Sequence, residues 1–367
     1  MLILLVEDDL AQIDSFKTAV SEWNKENKTN QFDVFTASSK EDAELAIKHS
    51  RIDCALVDIR IPESKDSRQS SENGNAIIKQ ILADRGFPIA VISGNISELD
   101  EDISATEHIK QFNKGDKDVG SDAIGWLGEN WQMMDVLSKV RTTVEKAGAE
   151  IFGKRLWPNW NNLPELDGSK ISKIVARQYA SHLVEKLGMD HPENDEWHPY
   201  EAYVNPSLNE ARAHTGDVFL LDGKNWVVLS PQCDMATKKI SNVILCHCKE
   251  GNQTWDANIY KALASNDDVN QRRSSGEKLR KLYNQRIDVS EHFLPPLPGS
   301  DKPMMVEFKN LMTIELKELN DPEILKNRVA SISSSFVSNL TQRFGAYISR
   351  AGQPNIDPSL YTPPQNP

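Results

Sequence analysis

The chain is short of cysteine. Its four, Cys54, Cys233, Cys246 and Cys248 in 367 residues, cannot staple a protein of this length. A disulfide framework of the secreted kind is excluded, and a reducing cytoplasm is the expected location. Long apolar runs are also missing. No stretch approaches the roughly 20 apolar residues of a membrane-spanning helix, and no basic segment precedes the first apolar run, so neither a span nor a signal peptide is expected. Positive charge is scarce. Lys+Arg number 42 against 54 Asp+Glu, a net −12. The deficit is uneven: 17 against 28 in residues 1–150, and 25 against 26 in residues 151–367. Without a basic excess, nucleic-acid binding is not favoured beyond a local patch such as Arg272-Arg273. There is no internal repeat, and the length accommodates two or three domains.

What is present begins at once. Leu2 to Asp9 reads LILLVEDD, a short run of β-formers that stops at three carboxylates. Such a run is expected to be a buried parallel strand. In an open parallel α/β sheet, ligands bind at the carboxyl ends of the strands. Glu7, Asp8 and Asp9 therefore suit either a cation or the N-terminus of a following helix, whose dipole favours acids. The pattern recurs at Cys54 to Pro62, CALVDIRIP, with Asp58 at the strand end. Two further strands end in Ser93-Gly94 and in Lys114. Four strand ends thus supply acids, an acid, a hydroxyl and an ammonium.

Taken in that order, these motifs resemble the response-regulator receiver domain of two-component signalling, over residues 1–120. The resemblance implies a doubly wound (βα)5 sheet of order 2-1-3-4-5. It implies that Asp58 accepts a phosphoryl group from a sensor histidine kinase, that Glu7 and Asp8 with Asp58 hold Mg²⁺, and that Ser93 and Lys114 follow the phosphoryl group. The chemistry agrees. Phosphoryl transfer is mostly positioning and charge neutralisation, and Mg²⁺ takes one or two carboxylates with waters and phosphate oxygens. The backbone carbonyl of Arg60 is the expected third protein ligand. The sequence departs from the family in three places. Gly115 follows the lysine where the family has proline, Gln111 stands at the aromatic switch position, and the loop Glu63 to Asn73 is long and polar.

Beyond the receiver, Ile124, Leu127, Trp131, Met134, Leu137, Val140 and Val144 recur in steps of three and four. One helix is expected from Ser121 to Lys146, either as a homodimerising seam or packed on its own domain. A Pro/Asn/Trp linker, Phe152 to Leu163, ends this 121–165 segment. Residues 166–352 are expected to form an α+β output domain, with residues 353–367 as an extended tail. Within it, Ser169 to Leu187 is amphipathic, and no recognition helix follows to make a helix-turn-helix. Asp222-Gly223 between apolar runs signals a hairpin. With a strand at Val243 to Cys248, this points to a small SH3-like β-barrel. GDVFLLDGKNWVVLSPQCD resembles the start of MazF/PemK-type toxin barrels and of barrel modules in bacterial defence and signalling proteins. Asn225-Trp226 replaces the Arg-Pro of those toxins. Val289 to Pro298 reads as a Pro-rich loop, and Ile332 to Ile348 as a terminal helix.

Two readings of the output domain stay open. In one it binds a partner protein. In the other it is a receiver-gated effector enzyme, nuclease-like or a thiol hydrolase, in phage defence. For the latter, Cys233-Asp234 with a base among His198, His214 and His247 is the candidate. Cys233, Cys246, His247 and Cys248 also carry zinc-ligand types, but C-x-C on a strand puts His247 on the opposite face. Buried packing is the plainer expectation for these thiols.

Overall fold

The computed structural model describes residues 1–367 except 68–69, 95, 163–166, 190–196, 208, 264–267, 353, 356 and 358–367. Most of the expected tail therefore lies outside the described residues, as do two positions of the Glu63 to Asn73 loop. The chain forms two compact units, Met1–Pro192 and Glu193–Pro367.

The first unit is built on alternation. Strands β1 (Leu2–Val6), β2 (Asp33–Ala37), β3 (Cys54–Val57), β4 (Ile89–Ser93) and β5 (Ile109–Asn113) pair in parallel, in the order β2-β1-β3-β4-β5. This is the doubly wound 2-1-3-4-5 arrangement. Every residue of β3 and β4 is buried, because helices cover both faces. On one face Leu4, Val6, Ala55, Val57, Ile89 and Val91 meet helices α2 (Lys40–His49) and α3 (Asn73–Asp84). On the other, Ile3, Leu5, Leu56 and Ile92 meet α1 (Leu10–Glu26) and α5 (Val119–Glu129). A short α4 (Glu101–Ser104) precedes β5.

The continuous helix expected from Ser121 to Lys146 is two helices. Helix α5 stops at Glu129, and α6 (Trp131–Ile151) starts one residue later. Asn130, at φ −90° and ψ 7°, serves as the C-cap of one and the N-cap of the other. Its amide donates to the Trp126 carbonyl at 2.9 Å. An asparagine side chain that bonds to backbone competes with helix propagation. The expected seam is also spent internally. Ile124, Leu127 and Met134 are buried in the unit's own core, and Trp131 sets its ring edge-on to Phe32 at 5.0 Å. Only beyond it do Val136, Leu137 and Val140 lie exposed. Farther along, α6 is tied to the N-terminal edge of the sheet. Arg141 reaches the Ile52 carbonyl at 3.4 Å and Asp53 at 3.8 Å, and Arg51 pairs with Glu145. Asp53 itself accepts from the Leu2 N–H at 2.9 Å.

The expected linker is helical as well. A π-turn at Phe152–Leu156 leads into turns at Trp157–Asn159 and Trp160–Asn162. Pro158 lacks an N–H and crowds the carbonyl four residues back. The wider turn accommodates that, with the Trp157 N–H reaching back to Phe152. Helix α7 (Gly168–Met189) follows, and its Lys186 pairs with Glu150 of α6 at 3.1 Å.

The second unit carries one antiparallel sheet of seven strands. In chain order these are β6 (Tyr203–Val204), β7 (Asp217–Leu221), β8 (Lys224–Val228), β9 (Asn242–Glu250), β10 (Glu291–Leu294), β11 (Met304–Glu315) and β12 (Arg328–Ile332). They are ordered β10-β11-β9-β8-β7-β12-β6. The Asp222-Gly223 hairpin forms as expected, with φ of 49° and 71° and Leu221 opposite Lys224. Both central residues are left-handed, as a two-residue primed turn requires. Helices α8 (Gln253–Leu263) and α9 (Val269–Tyr283) precede β10, and α10 (Ser334–Ile348) follows β12. The Val289 to Pro298 segment is not all loop, since Glu291–Leu294 pairs with β11 at the sheet edge until Pro295 removes the next donor. Tyr203 on the opposite edge donates its hydroxyl to the Pro295 carbonyl at 2.6 Å. The sheet therefore curls until its two edges approach, as a half-barrel whose edges are joined by a side chain and not by a strand ladder.

Candidate functional site at the strand ends of the first unit

Five of the expected site residues converge at the carboxyl edge of the parallel sheet. The ladder carries Glu7 and Asp58 past the last paired residues, with the Glu7 N–H on Ala37 and the Asp58 N–H on Val6, both at 3.0 Å. The carboxylate oxygens of Glu7, Asp8 and Asp58 lie within 4.8 Å of one another. Lys114, at the end of β5, bridges two of them, with Nζ 2.7 Å from Glu7 Oε2 and 2.7 Å from Asp58 Oδ2. Ser93 is buried at the end of β4, and its carbonyl accepts from the Lys114 N–H at 3.1 Å. Asp9 does something else. It caps α1, accepting from the Ala11 N–H at 2.8 Å. Of the two roles open to the acidic run, Asp9 takes the helix cap.

The carboxylates suit a hard cation. Ligand oxygens on an octahedral Mg²⁺, at about 2.1 Å each, stand about 3–4 Å apart. The 4.8 Å within which the oxygens of Glu7, Asp8 and Asp58 gather is near that spacing. Among the described residues this is the one group of three acids, histidines or cysteines drawn close enough to hold an ion. Cys233, Cys246, His247 and Cys248 are not so grouped. Cys246 and Cys248 are buried, and burial pushes the Cys246 thiol up to about 12. His247 pairs with Glu307 at 2.9 Å, and the exposed Cys233 thiol contacts Asp234.

Burial raises the Glu7 carboxyl above its ordinary value of 4.5, against the hydrogen bond from Lys114. Burial opposes the charge on Lys114, but its bonds to Asp58 and Glu7 outweigh it and the pKa is raised. A carboxyl whose pKa rises on folding binds its proton more tightly in the folded state. Its ionisation subtracts stability as pH climbs from 4.5 through the raised value. In EDTA, the parent protein is therefore expected to lose thermal midpoint relative to Glu7→Gln between pH 4 and pH 7. Melts of both proteins across that range check this. A difference that is flat, or that runs the other way, contradicts the burial of an ionised Glu7.

Three contacts around the site carry no sequence signal. Arg60, two residues past Asp58, turns its side chain to Glu98, with Nε donating to Oε2 at 2.6 Å and Nη2 to Oε1. Asn75, buried at the start of α3, donates to the Glu98 carbonyl at 2.8 Å. Gly74 donates to the Ile59 carbonyl at 2.9 Å, and a Cβ there would stand 2.2 Å from the Asp58 carbonyl oxygen. Glu98, beyond Ser93, is thus held from two sides, and α3 lies against the backbone of Asp58.

No protein-family model matches the chain, and no curated protein matches it. Among solved structures, it is similar to a CheY-like response regulator receiver domain protein from Methanospirillum hungatei JF-1. Identity there is 19% over 36% of this chain and 95% of that one, with a TM-score of 0.29. A CheY-like receiver domain from Methylobacillus flagellatus is 21% identical over 36% and 98%, with a TM-score of 0.27. A two-component transcriptional regulator AraC from Clostridium phytofermentans ISDg is 19% identical over 38% and 98%, also at 0.27. Likeness at this level assigns no role to any residue.

Proposed function

We propose that residues 1–120 are the receiver domain of a cytoplasmic response regulator, phosphorylated on Asp58 with Mg²⁺ by a sensor histidine kinase. The observation that carries this is the placement of Asp58, buried at the carboxyl edge of a 2-1-3-4-5 parallel sheet between two acids and a lysine. An Asp58 oxygen attacks phosphorus, and the P–N bond of the phosphohistidine breaks. The imidazole leaves with that electron pair and takes up a proton. Glu7, Asp8, Asp58 and the Arg60 carbonyl would hold Mg²⁺, which neutralises charge on the transferring phosphoryl oxygens. Lys114 supplies a fixed positive charge to the acyl phosphate, and the Ser93 hydroxyl a hydrogen-bond donor.

Residues 166–352 are the output domain in this reading, and they bind a partner protein. The near-neutral charge of the second half supports this over nucleic acid. A homodimer through helix 121–146 would use exposed apolar positions of α6 such as Val136, Leu137 and Val140. Incubation with acetyl phosphate and Mg²⁺ is expected to label the parent protein and leave Asp58→Asn unlabelled. Asp8→Ala should shift the Mg²⁺ requirement at least tenfold higher. Labelling that survives Asp58→Asn places the acceptor elsewhere and ends the proposal.

A further inference from the structure

The second unit holds a groove that the phosphoacceptor reading does not use. Its inner compartment, about 320 Å³, is walled by the rings of Trp197, Tyr283 and Phe336, and His292 and Asn339 face it. It continues into a wider groove of about 730 Å³ that shares those rings and runs along α9 past Arg280 to Gly276. Trp197 and Phe336 meet edge to face at 5.8 Å. Each compartment falls in the size range of small-molecule sites.

His292 is the informative residue. It is 3% exposed, and its enclosed Nδ1 has no hydrogen-bond partner among the described residues. Buried polar atoms without partners are rare. Burial and the Arg343 cation behind it push its pKa down to about 3. The ring is therefore neutral at any physiological pH and suits a neutral polar edge better than a phosphate. Two other polar groups nearby are engaged within the protein. Gln285 exchanges two hydrogen bonds of 2.8 Å with the Phe293 backbone, and Arg343 donates to the carbonyls of Gln285, Asp288 and Glu291. Arg280 stands one helical turn from Tyr283, about 5 Å along α9. An aromatic slot, a neutral hydrogen-bonding wall and a cation one turn away match a planar heteroaromatic ring carrying an anionic group.

We propose that this groove binds a mononucleotide, with the base between the aromatic side chains against His292 and Asn339 and the phosphate toward Arg280. The proposal stands apart from phosphorylation at Asp58 and survives its failure. Aromatic side chains stack on any base, so the test uses AMP, GMP, CMP and UMP in turn, by calorimetric titration of the full chain. At least one is expected to bind saturably, one per chain, at millimolar or lower concentration. Gly276→Leu fills the groove, because a Cβ at Gly276 meets no atom within 4 Å, and helix propensity favours the change. It should weaken binding at least tenfold without lowering the thermal midpoint. His292→Phe should do the same if it folds. Arg280→Ala should weaken the nucleotide tenfold but leave the matching nucleoside unchanged. No saturable binding of any of the four, or binding that Gly276→Leu leaves intact, overturns the proposal.

Discussion

Gly74→Ala is expected to destabilise the first unit by about 3 kcal/mol, the upper range for overpacking a filled site. At any open helical position the same change stabilises, by up to about 1 kcal/mol, so the sign alone is diagnostic. The added Cβ meets the Asp58 carbonyl oxygen at 2.2 Å, the Ile59 Cα at 2.6 Å and the Ile59 carbonyl oxygen at 2.9 Å. All three are backbone atoms, and none can rotate away. Either α3 backs off or the strand end carrying Asp58 moves. Gly125→Ala is the control, since a Cβ at Gly125 on α5 meets nothing within 4 Å. For a unit of this size the loss corresponds to a fall of about 6–12 °C in thermal midpoint. Labelling of Asp58 by acetyl phosphate should fall with it, by about a hundredfold if the carboxylate shifts by 1 Å. A Gly74→Ala protein as stable as the parent would show that the approach of α3 to Asp58 is looser than described.

The second large effect belongs to the other unit. Arg328→Met is expected to cost about 3–5 kcal/mol, the usual penalty for stranding one member of a buried ion pair. Arg328 and Asp217 are 6% and 0% exposed at the side chain and lie 2.9 Å apart. Arg328 also donates to the carbonyls of Arg212 at 3.1 Å and Asn209 at 2.5 Å. Asp217 also accepts from the His214 N–H at 2.7 Å and from the Ser331 hydroxyl. The pair thus ties the 209–217 segment to β12. Removing the arginine leaves a buried carboxylate and two carbonyls without their donor. The double variant Arg328→Met with Asp217→Leu should recover part of the loss, because no charge is then stranded. Urea unfolding of the parent, both single variants and the double variant gives the coupling energy directly. Additive losses would mean that the two residues act separately.

Residues close in the chain, or on successive strand ends, were legible before folding. LILLVEDD announces a strand and its carboxylates in eight letters, and the spacing of Asp58, Ser93 and Lys114 follows from strands that must end on one edge. The Asp222-Gly223 hairpin is equally local. The misreadings have physical causes. A heptad pattern continues through Asn130 because one non-helical residue barely alters the apolar spacing, although the amide of that residue stops the helix. Strand β10 hides among prolines because an edge strand needs only one partner. Gly74 and the Arg60–Glu98 pair are invisible for another reason. Their meaning depends on which loop lies over which strand end, and 38 residues separate Arg60 from Glu98.

The tie between α6 and the Ile52-Asp53 corner decides what that helix can register. Asp53 and Asp58 flank the two ends of β3, about 16 Å apart at strand spacing. Strand β3 is buried along its length and hydrogen-bonded to β1 on one side and β4 on the other, so both ladders hold it in register and stiff against bending. Helix α6 is therefore anchored to a rigid strand at the end opposite Asp58, by Arg141 on Asp53 and the Ile52 carbonyl.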